Sequence, residues 1–491
     1  MNRDFDRKID ADTIVAVATP WGEGAIGVVR LSGPDSLSIG KKLFRFIQKP
    51  QKIETHRMYL GDVLDSNGKA IDRALFVFME SPSSYTGEDV VELQCHGGPL
   101  LLESVVLGAV SAGARPAENG EFTRRAFMNG KLDLAQAEAV LDIITSVTER
   151  GLLVSAGQLF GGLSGEIEDM KEALVLLLAD VEASIDFPDE ETEIISREVV
   201  IKESERILKR IEELLSTYRR GRMLKEGASV VILGCPNVGK SSLMNRLLGA
   251  DRAIVTAEPG TTRDTVWDFT RINGIPLKIV DTCGIREVLG EAEREGVRRA
   301  WEAVSGADII LLVIDVTSEI GNEEERMIYL IEGGGAVKEG VATLVVLNKV
   351  DLLDVNEPEG KEDMRINEME DLPFPYLFTS ALTGRGIDDL RSEIRRLLLD
   401  EAGGGGAASD RIIINNARHL EALLGARRSL TEILNGENIY GPGEGRIKRR
   451  FEPELLAVDI RGALTSLKEI TGEVGAEDVL DAIFSRFCVG K

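Results

Sequence analysis

The stretch SVVILGCPNVGKSSLMNRLL, residues 229–248, decides how the centre of this chain folds. A short apolar run ends in glycine, a loop closes on Gly-Lys-Ser, and a segment with helical apolar spacing follows. Such a pattern reads as a buried strand, a turn and a helix. The spacing G-x-x-x-x-G-K-[ST] is met by Gly234, Gly239, Lys240 and Ser241. The glycines let the N–H groups around Asn237, Val238 and Gly239 curl about phosphate oxygens. Lys240 reaches the terminal phosphates and the Ser241 hydroxyl ligates Mg²⁺. Ser242 follows in the first helical turn, where the positive helix end favours an anion.

A chance Gly-rich strand-to-helix turn is the competing reading, and three later segments argue against it. "LKIVDTCG" ends an apolar run at Asp281, suited to a water-mediated Mg²⁺ contact, and continues through Thr282, Cys283 and Gly284. Gly284 is placed to sense a γ-phosphate through its backbone. "TLVVLNKVD" puts Asn348, Lys349 and Asp351 after another buried strand. A carboxylate there accepts from N1–H and the 2-amino group of guanine, donors that adenine lacks. "FTSALTG" places Ser380 and Ala381 where a backbone N–H meets the guanine O6. Together the four segments predict GTP as the ligand. The position after Gly284 holds Ile285, which cannot orient water as the Gln of Ras-like enzymes does, and no arginine finger can be assigned.

Outward from this centre, the period of the pattern changes several times. Residues 13–120 alternate short β-rich runs with turn clusters and one helical stretch, "PLLLESVVLGAVSAGA", which reads as an α/β domain. From "KLDLAQAEAVLDIITSVTE" to about Leu224 the spacing is helical. Strands then alternate with helices to about Leu399, as in a doubly wound parallel sheet. "EAGGGGAASD" reads as a flexible joint, and the remainder is helical. The expected class is multidomain α/β plus all-α. Its segments are 1–130, a first helical half 131–226, an inserted Ras-like P-loop domain 227–399, and a second helical half 400–491.

The 491 residues carry 58 Lys+Arg against 83 Asp+Glu, a net charge of −25. That balance argues against an extended nucleic-acid-binding face, which needs clustered cations. Only "YRRGRMLK" and "GRIKRR" are locally basic, read equally as solvated helix ends or as an RNA or partner contact. No leader or presequence pattern opens the chain and no apolar run is long enough to span a membrane, so a cytoplasmic location is expected. The cysteines Cys95, Cys235, Cys283 and Cys488 form no C-x-x-C pair, as in a reducing compartment. His56, His96 and His419 are scattered, so no zinc site is expected.

"PNVGKSSLMN", "GTTRDT", "DTCGIRE" and "NKVD" resemble the bacterial translation-factor-related GTPases. Five more segments narrow this: "DTIVAVATP", "GAIGVVRLSG", "SYTGEDVVELQCHGG", "RPAENGEFTRRAFMNGKLDLAQAEAV" and the closing "FCVGK". With them the chain resembles, from about Asp12 to Lys491, the MnmE (TrmE) family of tRNA uridine-34 modification GTPases.

The resemblance implies an N-terminal tetrahydrofolate-binding domain that also dimerises, a discontinuous helical domain and an inserted G domain. It implies a flavoprotein partner, MnmG, which brings FAD and forms a heterotetramer with it. The one-carbon unit comes from 5-formyl- or 5,10-methylene-tetrahydrofolate and ends in an aminomethyl or carboxymethylaminomethyl group at carbon 5 of the wobble uridine.

For the G domain the resemblance implies a K⁺ ion in the place of an arginine finger when two G domains pair. Its ligands would be Asn237, the carbonyls of Thr256 and Glu258, and Thr261. Thr262 would complete the Mg²⁺ shell and Glu293 would orient water, although by itself Glu293 reads as a solvated helix-face glutamate. For folate, Arg30, Glu92, Lys131 and Lys491 match the family's contacts, and Cys488 is a nucleophile candidate if cationic neighbours favour its thiolate. Trp21 and Glu23 depart from the family pattern, as does Cys283 in place of alanine. A GTP-gated RNA-processing assembly switch without folate chemistry is the alternative.

Overall fold

The structure is a computed structural model. It describes residues 12–146, 148–186, 196–249, 266–272, 275–281, 304–333, 341–353, 372–400, 412–435, 452–475 and 477–491. The chain forms two compact units. One contains Met1–Ile144, Ser155–Ile211 and Glu421–Lys491, the other Thr145–Val154 and Glu212–Leu420.

In the first unit, alternating apolar and polar residues build a seven-stranded sheet. Its strands are β1 (Ile14–Val17), β2 (Gly24–Ser32), β3 (Phe44–Phe46), β4 (Met58–Leu64), β5 (Ala70–Met79), β6 (Val90–Gly97) and β7 (Arg115–Pro116). Their order is β3-β4-β5-β6-β2-β1-β7. All neighbours are antiparallel except β1 and β7. One face buries Val29, Leu31, Phe76 and Leu93 against Ile39 of α1 (Ser36–Lys42) and Leu102, Val105 and Ala109 of α2 (Pro99–Ser111). The other face carries a row of register partners, Ala16, Arg30 and Glu92, across β1, β2 and β6. Cross-strand partners share a face, so these three side chains are neighbours. Helix α3 (Glu121–Met128) closes over that row, with Phe122 fully buried against Ile14 and Ala16.

Four helices follow: α4 (Leu134–Thr145), α5 (Glu149–Leu159), α6 (Gly162–Asp186) and α7 (Arg197–Glu226). The second unit then lays down β8 (Ala228–Leu233), α8 (Lys240–Leu248), β9 (Val266–Ile272), β10 (Ile275–Asp281), β11 (Ile309–Asp315), α9 (Asn322–Glu332), β12 (Ala342–Asn348), β13 (Tyr376–Phe378) and α10 (Ile387–Asp400). The six-stranded order is β13-β12-β11-β8-β10-β9, parallel except for β9 with β10. β11 and β12 are near-continuous apolar runs, as a sheet covered on both faces requires. The strand order reverses at β8, so the loops after β8, β11 and β12 open into one crevice at the carboxyl ends of the strands.

The chain returns to the first unit through α11 (Ala417–Asn435), α12 (Pro453–Thr471) and α13 (Glu477–Phe484). Helix α6 buries Leu163, Ile167, Met170, Leu174, Leu177 and Val181 at three-and-four spacing and packs along α12. The buried Lys171 ammonium donates to Glu168 at 2.6 Å and to Glu473, just past α12. The architecture is the α/β-plus-all-α class expected from the sequence. Among the described residues no helix is long and apolar enough to cross a membrane.

The basic cluster at 218–225 lies in the last turns of α7. Its Arg222 is ion-paired with the buried Asp308, whose carboxylate also accepts the Ser229 N–H at 2.9 Å. That cation therefore serves the interior of the second unit. "GRIKRR" and the glycine-rich joint lie outside the described residues.

Candidate functional site

The crevice at the ends of β8, β11 and β12 is built around one amide. Asn348, 1% exposed, donates through Nδ2 to the Val238 carbonyl at 2.8 Å. Its Oδ1 accepts the Ala381 N–H at 3.0 Å and the Thr379 hydroxyl at 3.4 Å. The phosphate loop, the end of β12 and the loop after β13 are thus tied together. Gly239 makes the approach possible. Its φ is +99°, and a Cβ there would lie 2.3 Å from Asn348 Nδ2. Only glycine combines that backbone with that contact.

Lys240 is buried and donates to the carbonyls of Gly234 and Cys235, each at 2.8 Å. Lys349, at φ +69°, places its ammonium 2.6 Å from Asp315. Burial pushes the Asp315 carboxyl up, but hydrogen bonds from Lys349 and Thr317 outweigh it and hold it below the usual carboxylate range. Asp351 accepts the Ser380 hydroxyl. The Ala381 N–H expected to face guanine O6 is held by Asn348, so a purine oxygen reaches it only by sharing that donor.

Asp281 closes β10 opposite Ile232 of β8, at the phosphate-loop end as expected. Thr256, Glu258, Thr261, Thr262, Thr282, Cys283, Gly284 and Glu293 lie outside the described residues. A loop without a Cβ at 239, Lys240, and the amide end of α8 together fit a polyphosphate. Of the residues expected to ligate Mg²⁺ and K⁺, Ser241 and Asn237 are the ones the structure describes, and both carry side-chain oxygens of the kind hard cations accept. Cys235 is buried and its thiol donates to Glu323 at 3.4 Å. Burial, then Glu324 and Glu323, push that thiol well up, so it stays protonated and unreactive.

A second constellation sits on the face of the N-terminal sheet that α3 covers. Arg30 Nε donates to Glu92 at 2.8 Å, and its guanidinium lies 5.7 Å from the Phe122 ring and 5.8 Å from the Tyr85 ring. Tyr85 is fixed by a 2.9 Å hydrogen bond with Thr123. Beneath it, the buried Arg125 binds Asp12, Glu121 and Glu88.

The C-terminal tail reaches this face. Phe484 and Phe487 are buried with Phe127 and Leu134. Beyond them the Phe122 N–H donates to the Lys491 carbonyl oxygen at 3.1 Å, and Asn119 pairs with Val489. Gly490, at φ +95°, lies so close to β1 that a Cβ would be 2.1 Å from the Val17 oxygen. Val17 adjoins Ala16, the register partner of Arg30, and Phe122 both holds the Lys491 oxygen and faces the Arg30 guanidinium, so residues 488–491 end on the β1 side of the Arg30 row. Lys131 donates to Pro82 at 3.0 Å, on the loop that also carries Tyr85.

The four expected folate contacts are therefore gathered in two ways. Arg30 and Glu92 touch, whereas Lys491 and Lys131 are brought in through Phe122 and the 82–85 loop. Cys488 is exposed. An Arg–Glu pair between aromatic faces fits a flat heterocycle bearing N–H donors and a carboxylate tail. Phe122, Tyr85, Thr123 and Arg125 were not singled out from the sequence, although all lie within the segments that carry the resemblance. Among the described residues no group of side chains could hold a metal through His, Cys or carboxylates alone.

Residues 13–131 match the family described as "GTP-binding protein TrmE N-terminus", and residues 134–488 match "MnmE helical domain". The tRNA modification GTPase MnmE of Syntrophotalea carbinolica is 41% identical over 98% of this chain and 100% of its own length. That of Roseiflexus sp. is 41% identical over 98% and 99%. A crystal structure of Era in complex with MgGDPNP and 16S ribosomal RNA is 26% identical, covers 53% of this chain and 89% of that chain, and has a TM-score of 0.29, too low to bear on function.

Proposed function

Because this chain belongs to the MnmE (TrmE) family of tRNA modification GTPases, we propose that it hydrolyses GTP to drive modification of wobble uridine 34 in tRNA. With MnmG, which carries FAD, it adds an aminomethyl or carboxymethylaminomethyl group to carbon 5. The one-carbon unit comes from 5-formyl- or 5,10-methylene-tetrahydrofolate.

In this reading residues 1–130 bind folate and dimerise. Residues 131–226 and 400–491 form the helical part, and residues 227–399 form the G domain, which pairs with its counterpart on GTP binding. The work is cytoplasmic, within a heterotetramer. The docking of residues 488–491 on Phe122, whose ring faces Arg30, supports the folate reading, because a GTP switch alone has no use for it.

Lys240 and the first amides of α8 neutralise the phosphates, Asp351 reads the guanine edge, and Ser241 with Thr262 holds Mg²⁺. Glu293 orients the attacking water. K⁺, held by Asn237, Thr256, Glu258 and Thr261, supplies positive charge against the charge developing on the phosphates. Cys488 serves the one-carbon step, and full modification by a Cys488→Ser protein would remove that role.

The deciding experiment is steady-state GTP turnover in K⁺ against matched Na⁺, at low and high protein concentration. Turnover stimulated by K⁺ and rising with concentration is expected. Equal, slow turnover in both salts would defeat the cation-site reading. Absence of folate binding would leave the assembly switch.

A further inference from the structure

The loop that follows β13 turns on Ser380, whose carbonyl accepts the Gly384 N–H at 2.8 Å and whose hydroxyl accepts the Thr383 N–H at 3.0 Å. Its Leu382 side chain is 74% exposed and contributes no packing. From inside the crevice, Asn348 holds the Ala381 N–H and Asp351 holds the Ser380 hydroxyl. From outside, one side chain takes the next two carbonyls. Arg246 Nε donates to the Ala381 oxygen at 2.9 Å, and Nη2 donates to the Leu382 oxygen. Its own main-chain oxygen accepts from Arg391 of α10 at 3.1 Å.

Arg246 sits on α8, whose buried stripe is Leu243, Met244, Leu247 and Leu248, so it lies on the flank of that helix. The same helix begins with Lys240 and Ser241. Six residues at ~1.5 Å each separate the phosphate-binding end from this latch by only ~9 Å of rigid helix. A guanidinium presents its N–H groups in a rigid planar fork, and here Nε and Nη2 span two successive carbonyls from a pre-organised geometry that a flexible ammonium lacks. With Asn348 holding the Ala381 N–H and Arg246 its carbonyl, the two peptides that flank this residue are each fixed.

We propose that Arg246 is a positioning residue for guanine recognition. It holds the 380–382 loop in register with the phosphate-bearing end of α8, and so sets the preference for bases that carry O6. The inference rests on reading Ser380 and Ala381 as the base-recognition loop.

The test is displacement of a fluorescent GDP from the full chain by GTP, ITP and ATP. Inosine keeps O6 and N1–H, whereas adenine has neither. For Arg246→Ala, affinity for GTP and ITP is expected to fall by the same factor, on the order of tenfold as for loss of one charge-assisted hydrogen bond, with the weak ATP affinity unchanged. Arg246→Lys, which keeps the charge and loses the rigid planar fork, is expected to fall less, about threefold. An equal loss for GTP and ATP would reveal a merely structural residue and overturn the proposal, as would a GTP loss under twofold. Should the alanine variant not fold, the lysine variant decides by the same criteria. A wild-type protein without guanine preference would overturn the base-loop reading, whereas a preference untouched by Arg246→Ala would overturn only the latch.

Discussion

Replacing Gly490 by alanine tests how residues 488–491 are held. The left-handed backbone at φ +95° costs a non-glycine residue ~1–2 kcal/mol. The added Cβ would also lie 2.1 Å from a main-chain oxygen of β1, which cannot rotate away. Against this stand two main-chain bonds, Phe122 to Lys491 at 3.1 Å and Gly120 to Cys488 at 3.5 Å. At ~1 kcal/mol each they contribute no more than ~2 kcal/mol. Strain exceeds attachment, so the tail is expected to detach beyond Phe487 while the Phe484 and Phe487 rings stay buried.

Hydrogen exchange reads this directly. Protection of the Gly120 and Phe122 amides should fall by up to ~30-fold, the factor corresponding to ~2 kcal/mol. The melting temperature should change little, and tRNA modification should fail while GTP turnover persists. Unchanged exchange at those two amides would refute the account of the tail.

Two further expectations follow from the ionisable groups. Burial alone would raise the Asp12 and Glu121 carboxyls, yet hydrogen bonds from Arg115 and Arg125 outweigh it and leave both below their ordinary values. A lowered folded value means stabilisation that is complete above the ordinary carboxylate range and is lost as pH falls through the lowered values. Thermal melts should therefore drop below about pH 4, less steeply in Glu121→Gln, and identical slopes would contradict the network. For the thiols, iodoacetamide at neutral pH should label exposed Cys488 at least ~10-fold faster than buried, protonated Cys235. Peptide mass spectrometry showing equal rates would contradict the burial of Cys235.

What could be read in advance was whatever is local. The strand, loop and helix at 229–248 follow from apolar period and glycine placement within twenty residues, and they appear as β8 and α8. Long-range partners left no local trace. Arg30 and Glu92 looked like separate ligand contacts, but they are 62 residues apart in the chain and bonded to each other. Arg222 looked like part of a surface cluster because its partner, Asp308, lies 86 residues away in a run that reads as plain strand. Asn348 looked like a base-recognition residue only. Its role in joining the phosphate loop to the loop after β13 depends on Gly239 approaching within reach, which spacing alone cannot specify.

The pairing of α6 with α12 has a consequence for synthesis. Lys171 and Glu473 are 302 residues apart, and the larger segment of the second unit, Glu212–Leu420, is made between them. At ~5–20 residues per second, about 15–60 s pass before the ribosome delivers the partner of the α6 apolar stripe. During that time Leu163, Ile167, Met170 and Leu174 lack part of their final cover. The intervening unit, whose strands lie close together in sequence, can complete its own sheet in that interval. A slow nascent chain thus carries one finished body and one sticky unfinished one, and chaperone dependence should concentrate on α6.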